Sequence, residues 1–185
     1  MRAALLLAIF LGACSSQPSA LRVYEAEDIA IWRLVLCEEG EHRPEGLAVV
    51  SKSTGAPKRE RGFLQGWAHS DELEAGLRAR TRKDIELPDA VGCPGLVLAS
   101  DSEIEHAFSK YDDLEPRPWS GFYEAFPDAK QLIGVGAPGY SKDGKHAVVF
   151  FTRATGVLGG YGIFLRLQKT GEGWRIVDQK LDWIS

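Results

Sequence analysis

Apolar and polar positions follow two different periods along this chain, and the change of period divides it. The segment Tyr24–Glu39, "YEAEDIAIWRLVLCEE", opens acidic and is apolar almost all round from Ile29 to Cys37. That predicts a buried helix, with a core strand over Ile29–Leu36 as the alternative. Gly46–Ser51 is a short strand candidate, and Asp71-Glu72-Leu73-Glu74 resembles a capping box that opens a helix running to about Lys83. Leu96-Val97-Leu98 is a second short strand. It leads into Ser100-Asp101-Ser102-Glu103, the clearest helix start in the chain, followed by Ile104, Ala107, Phe108 and Tyr111 at i, i+3, i+4, i+7. Trp119, Phe122, Tyr123 and Phe126 repeat that spacing between Pro118 and Pro127. Core packing explains this aromatic stripe better than a cofactor or sugar platform does.

From Lys130 onward the period becomes two. Lys130–Gly136, Lys145–Arg153, Gly160–Lys169 and Gly173–Ile184 each carry apolar runs or alternation. Tyr161, Ile163, Leu165 and Leu167 share one side, with Phe164, Arg166 and Gln168 opposite, as an antiparallel sheet requires. The phase slips between Ile176 and Val177, which predicts a bulge. Lys142-Asp143-Gly144-Lys145, Gly156–Gly160 and Gly171-Glu172-Gly173 are turns suited to a meander. The expected fold is α+β: N-terminal helices and short strands, then an antiparallel meander of about four strands with helices packed on one face.

The stretch "GVGAPGYSKDGKH" (134–146) superimposes two phosphate-loop patterns. Gly134, Gly136 and Gly139 fit G-x-G-x-x-G, and Gly139, Gly144 and Lys145 fit G-x-x-x-x-G-K. Both patterns need a helix next, whose first N–H groups hold the phosphate. Here "HAVVFFTR" follows, which is β-branched and aromatic, and Pro138 removes a donor. Asp143-Gly144 signals a hairpin instead. No nucleotide is expected.

The first residues carry an address. Arg2 precedes an unbroken apolar run from Ala3 to Leu11, well short of the ~20 residues a membrane-spanning helix needs. Leu11-Gly12-Ala13-Cys14 resembles the lipobox of bacterial lipoproteins. The resemblance implies cleavage after residue 13, acylation of Cys14 and, with Ser15 next, delivery to the outer membrane facing the periplasm. Residues 14–22 then read as a lipidated tether and 23–185 as a single domain. The whole chain has 26 acidic against 22 basic side chains, a net charge of −4, and loss of Arg2 on cleavage makes it −5. That composition disfavours nucleic acid. The basic cluster Lys58, Arg59, Arg61, Arg78, Arg80, Arg82 and Lys83 reads as a solvated loop and helix face, with anionic lipid or cell-wall polymer as the sharper alternative.

Export leaves Cys37 and Cys93 as an even pair in an oxidising compartment. A bridge would close about 57 residues, stabilising by roughly 4 kcal/mol on the chain-entropy estimate. Two buried free thiols or a reactive thiol are the alternatives. His42, His69, His106 and His146 form no close metal pair, and Glu103-Ile-Glu-His106 is only half of a carboxylate-bridged site. No G-x-S-x-G elbow is present. Neither a metal, a cofactor nor a catalytic set is therefore assigned.

"WSGFYEAFPDAK", "GYSKDGKHAVV", "GVLGGYGIFLRLQKTGEGWRIVD" and the terminal "WIS" together resemble a family of uncharacterised bacterial secreted proteins and lipoproteins. That resemblance covers about the last 70 residues and implies export and fold continuity, with no activity. Two functions are consistent with the whole sequence. One is a surface-tethered, non-catalytic module that binds an envelope protein, a cell-wall polymer or a small ligand, with Gly156, Gly159, Gly160 and Gly162 as its contact loop. The other is an envelope hydrolase whose site assembles only in three dimensions.

Overall fold

The computed structural model describes residues 20–38, 42, 44–55, 59–81, 85–110, 118–156 and 159–185. Helix α1 spans Ala20–Cys37, β1 Leu47–Ser51, α2 Ser70–Thr81, β2 Leu96–Ala99, α3 Asp101–Ser109 and α4 Pro118–Ala125. The strands β3 Ala129–Val135, β4 Gly139–Tyr140, β5 His146–Gly156, β6 Gly159–Thr170 and β7 Gly173–Ile184 follow. All strands join one sheet in the order β2-β1-β3-β5-β6-β7, with β4 pairing off the path to β5. The architecture is mixed α+β, and β5, β6 and β7 form the expected meander. The two short strands are parallel to their neighbours: β1 pairs with both β2 and β3 in that sense.

The turns at Asp143-Gly144 and Gly171-Glu172 hold where the sequence placed them, while positions 157 and 158 of the third lie outside the described residues. Asp143 Oδ1 accepts from Ser141 Oγ at 2.6 Å and from the Lys145 N–H at 3.0 Å, and Gly144 takes a φ of 67° that its missing Cβ permits. In β7, Asp178 pairs with Arg166 and Ile176 with Leu167, so Val177 is the extra residue of a bulge. A second bulge leaves Asp182 unpaired between Leu181 and Trp183. Between the two, the Gln179 N–H is bonded to the carboxylate of its own neighbour Asp178 at 2.9 Å. Bends and charges of this kind blunt an edge strand.

Helices cover both faces of the sheet, where the sequence reading had them on one. Ala48, Val50, Ile133, Val135, Val149, Phe151, Leu165 and Leu167 meet Ile31, Trp32, Val35 and Leu36 of α1 on the first face. On the second, Leu73 and Leu77 of α2 cover Val148, Phe150 and Phe164, while Phe122 of α4 and Ile104 and Phe108 of α3 cover Val49. Periodicity shows which stripe of a helix is apolar. It does not show which side of the sheet that helix reaches, because the connecting loops decide that.

The path of α1 shapes the molecule. Asp28, Ile31, Trp32, Val35 and Leu36 are its buried stripe, at helical spacing. Near its start, Glu27 bonds Lys169 and Trp174, where β6 turns into β7. At its end, Cys37 is disulfide-bonded to Cys93, three residues before β2 begins, with Cα atoms 5.9 Å apart. Because β2 runs opposite to β5, those two attachment points lie at opposite ends and opposite edges of the sheet. The helix is therefore a diagonal, and it leaves uncovered the corner where β6 begins and β7 ends.

Helix α3 opens as predicted: Ser100 Oγ accepts from the Glu103 N–H, and Glu103 Oε2 accepts from the Ser100 N–H at 2.8 Å. The Ser100 hydroxyl and N–H hold the Glu103 carboxyl below its ordinary range. Ser100→Ala is expected to cost about 1 kcal/mol in a urea denaturation at neutral pH. A depressed carboxylate contributes above its unfolded pKa and is lost as pH falls through the folded one. The penalty should therefore shrink in acid, below the ordinary glutamate range.

Candidate functional site

The glycines of the 134–146 stretch serve the fold. A Cβ on Gly139 would sit 2.3 Å from the Leu77 nitrogen and 2.6 Å from its Cα, so β4 and α2 touch backbone to backbone. The Gly136 N–H donates to Phe150 and its carbonyl accepts from Trp32 Nε1 at 2.9 Å. Lys145 and His146 run into β5, so no helix N-terminus faces the glycines.

The histidines separate. His106 is exposed on α3, and its neighbour Glu103 is engaged by Ser100. His69 and His146 stack with ring centroids 4.5 Å apart, bringing the start of α2 onto the hairpin, where Glu72 also accepts from the Lys142 N–H at 2.9 Å. The Ser141 hydroxyl and the Lys145 N–H hold the Asp143 carboxyl below its usual range, and His146 and His69 add to that. Ser141 is directed to Asp143 and to the His146 backbone, so it is not set up as a nucleophile on either imidazole. Among the described residues no group of three or more His, Cys, Asp or Glu is placed to hold a metal.

Among the described residues two carboxylates are buried, and each ties separate parts of the chain together. Glu74 accepts from the Gly62 and Leu64 N–H groups at 2.9 and 2.8 Å, fixing the loop before α2. Asp28 of α1 pairs with Arg80 of α2 and accepts from Tyr140 Oη at 2.6 Å. Burial, with Asp28 beside it, pushes the Tyr140 phenol far above its ordinary value. These contacts also engage part of the basic cluster. Arg59 pairs with Asp182, Arg78 lies over Phe63 and beside Glu74, and Arg80 lies over Tyr140. Three of its guanidiniums are thus turned to partners within the chain; positions 58, 82 and 83 lie outside the described residues.

The glycine-rich turn is likewise occupied from within. A Cβ on Gly162 would lie 2.2 Å from Trp183 Nε1, and one on Gly160 would touch the same indole at 3.3 Å. Trp183 lies flat across both, a cross-strand pair that requires the small residue. Gly159 packs on Thr155, whose carbonyl accepts from Tyr123 Oη at 3.1 Å. Of the expected contact loop, Gly160 and Gly162 are therefore seats for Trp183, and Gly156 belongs to the end of β5.

Beside this turn, on the opposite face, lies the corner that α1 leaves open. A groove of about 390 Å³ is lined by Tyr161, Ile163, Gln179, Leu181 and Ile184, with His42 as its wall. His42 is buried and its ring tilts against Phe151 at 5.6 Å. Leu181 is 59% exposed and Ile184 74%, the highest values for large apolar side chains among the described residues. Large side chains of this kind rarely stay in water together unless a partner covers them. None of the described lining residues is a carboxylate. The sequence marks Tyr161 and Ile163 as inward-facing, but exposure of Leu181 and Ile184 follows from the helix path, which no local pattern encodes.

Cys14 lies outside the described residues, and no described helix is long and apolar enough to cross a membrane. No family model matches the chain, and searches of curated proteins and of solved structures each returned no match.

Proposed function

We propose that this chain is a lipid-anchored protein of the cell envelope, acylated at Cys14, placed in the outer membrane facing the periplasm, and acting as a non-catalytic binding module. The reading of Cys14 rests on the resemblance of Leu11–Cys14 to a lipobox and on the short apolar run before it. A disulfide between Cys37 and Cys93 suits that oxidising compartment. The observation that carries the binding role is the corner groove, with Leu181 and Ile184 held out in solvent on a rigid strand. The buried carboxylates Asp28 and Glu74 tie separate parts of the chain together, and the Ser141 hydroxyl is turned to Asp143 within its own hairpin.

A photo-crosslinking side chain placed at position 181 in intact cells tests this. Adducts are expected from position 181 and not from the exposed Val97 on the far edge of the sheet. Equal labelling from both positions, or none from 181, would overturn the binding role. Incorporation of a labelled fatty acid into the wild-type chain and not into Cys14→Ala is expected in the same cells, and equal labelling of the two would overturn the anchor.

A further inference from the structure

The groove has a charge at its border. Along the end of the first face, Ile133, Arg153, Tyr161 and Ile184 stand opposite one another across β3, β5, β6 and β7. Phe151, Ile163 and Leu181 form the next row. Arg153 therefore flanks Tyr161 on the face that carries the groove, two residues along β5 from Phe151, which supports His42. Arg59, Arg78, Arg80 and Arg166 each pair with a carboxylate, whereas the Arg153 guanidinium has no hydrogen-bond or ion-pair partner among the described residues. It is also half-buried, so its charge is only partly repaid by water.

From this geometry we infer that the groove takes an anionic amphiphile: a linear acyl chain laid on Tyr161, Ile163, Leu181 and Ile184, its carboxylate on Arg153. The inference rests on the groove being the binding site. The rows from Tyr161 to Leu165 cover about 13 Å along the strand, which suits a medium-length chain. A guanidinium binds a carboxylate through two parallel N–H donors, and none of the described lining residues is a carboxylate that would pair with a cation. A peptide strand is the competing occupant for an apolar patch at a sheet edge. It would need a regular row of outward N–H and C=O groups on β7. The bulges at Val177 and Asp182 interrupt that row, and Asp178 already holds the Gln179 N–H. The same features oppose a second copy paired through β7. An acyl chain needs no such ladder.

Octanoate and octanol share a tail and differ in the head, so titrating both into the full chain carrying Cys14→Ser separates the two contributions. The readout is backbone amide shifts by NMR. Octanoate is expected to move the amides of residues 161, 163, 181 and 184 and to bind roughly tenfold more tightly than octanol, the effect of one charge-assisted contact. Arg153→Gln should erase that difference while leaving octanol binding unchanged. Leu181→Asp should abolish both, with a thermal melt confirming that each variant folds. Equal affinities for the two probes, a difference that survives Arg153→Gln, or binding of neither would overturn the inference. Crosslinking from position 181 to a protein, with neither probe bound, would leave the groove as the binding site and remove the amphiphile.

Discussion

Gly139→Val is expected to lower stability by about 5 kcal/mol, enough to unfold an ordinary domain. The reason is distance. The backbone of α2 passes so close to β4 that even a Cβ at this position would overlap the Leu77 nitrogen and Cα, at 2.3 and 2.6 Å. Backbone atoms of a helix cannot step aside as a side-chain tip can, so α2 would have to lift from the sheet. Lifting α2 would uncover Leu73 and Leu77 and separate His69 from His146. Circular dichroism during urea titration reads this directly. Gly171→Ala is the control: a Cβ there meets nothing within 4 Å, and the change should stay within about 0.5 kcal/mol. Wild-type stability of the Gly139→Val chain would mean that α2 does not rest on β4.

The second large effect is expected at Asp28. Its side chain is 5% exposed, and it joins α1 to α2 through Arg80 and to β4 through Tyr140. Asp28→Ala takes its carboxylate partner from the guanidinium of Arg80, itself 13% exposed. Breaking one side of a buried pair costs about 4 kcal/mol, mostly through the stranded partner. The double substitution Asp28→Ala with Arg80→Met should therefore recover part of the loss, because no buried charge remains. Urea midpoints of the two variants decide between this and simple loss of packing. A double variant less stable than Asp28→Ala alone would show that Arg80 contributes through its contact with Tyr140 rather than through Asp28.

What the sequence reveals of this fold follows the range over which each signal acts. The cap of α3 is legible because Ser100 and Glu103 are three residues apart and satisfy each other's donors. The bulge at Val177 is legible because a one-residue slip inverts the pattern of every residue after it. The four long strands show their alternation over many residues, while β1 and β2, at five and four residues, show only that they are apolar. Their parallel pairing depends on crossovers through α2 and through α3 and α4, which no short run announces.

The candidate site was less legible for the same reason. Gly160 and Gly162 look like a flexible loop until Trp183, some twenty residues later, is seen lying on them. The arginines look like a basic patch until Asp28, Glu74 and Asp182 are brought alongside. The groove needs three separate events: the oblique course of α1, the return of β7 to the corner, and the seating of His42 on Phe151. Leu181 and Ile184, three residues apart, fall on opposite faces under strict alternation, and only the bulge at Asp182 brings them to one face.

Proteins held on one lipid leaflet meet their own copies far more often than they would in free solution, and a long bare strand at the rim invites them to zip together. Anchored as proposed, this domain meets that hazard with two kinks in its outermost strand, at Val177 and Asp182, and with one amide already turned back on Asp178. A neighbour drawing level finds no continuous rail to join. Dense populations should stay as separate molecules, each with its greasy corner free for something smaller.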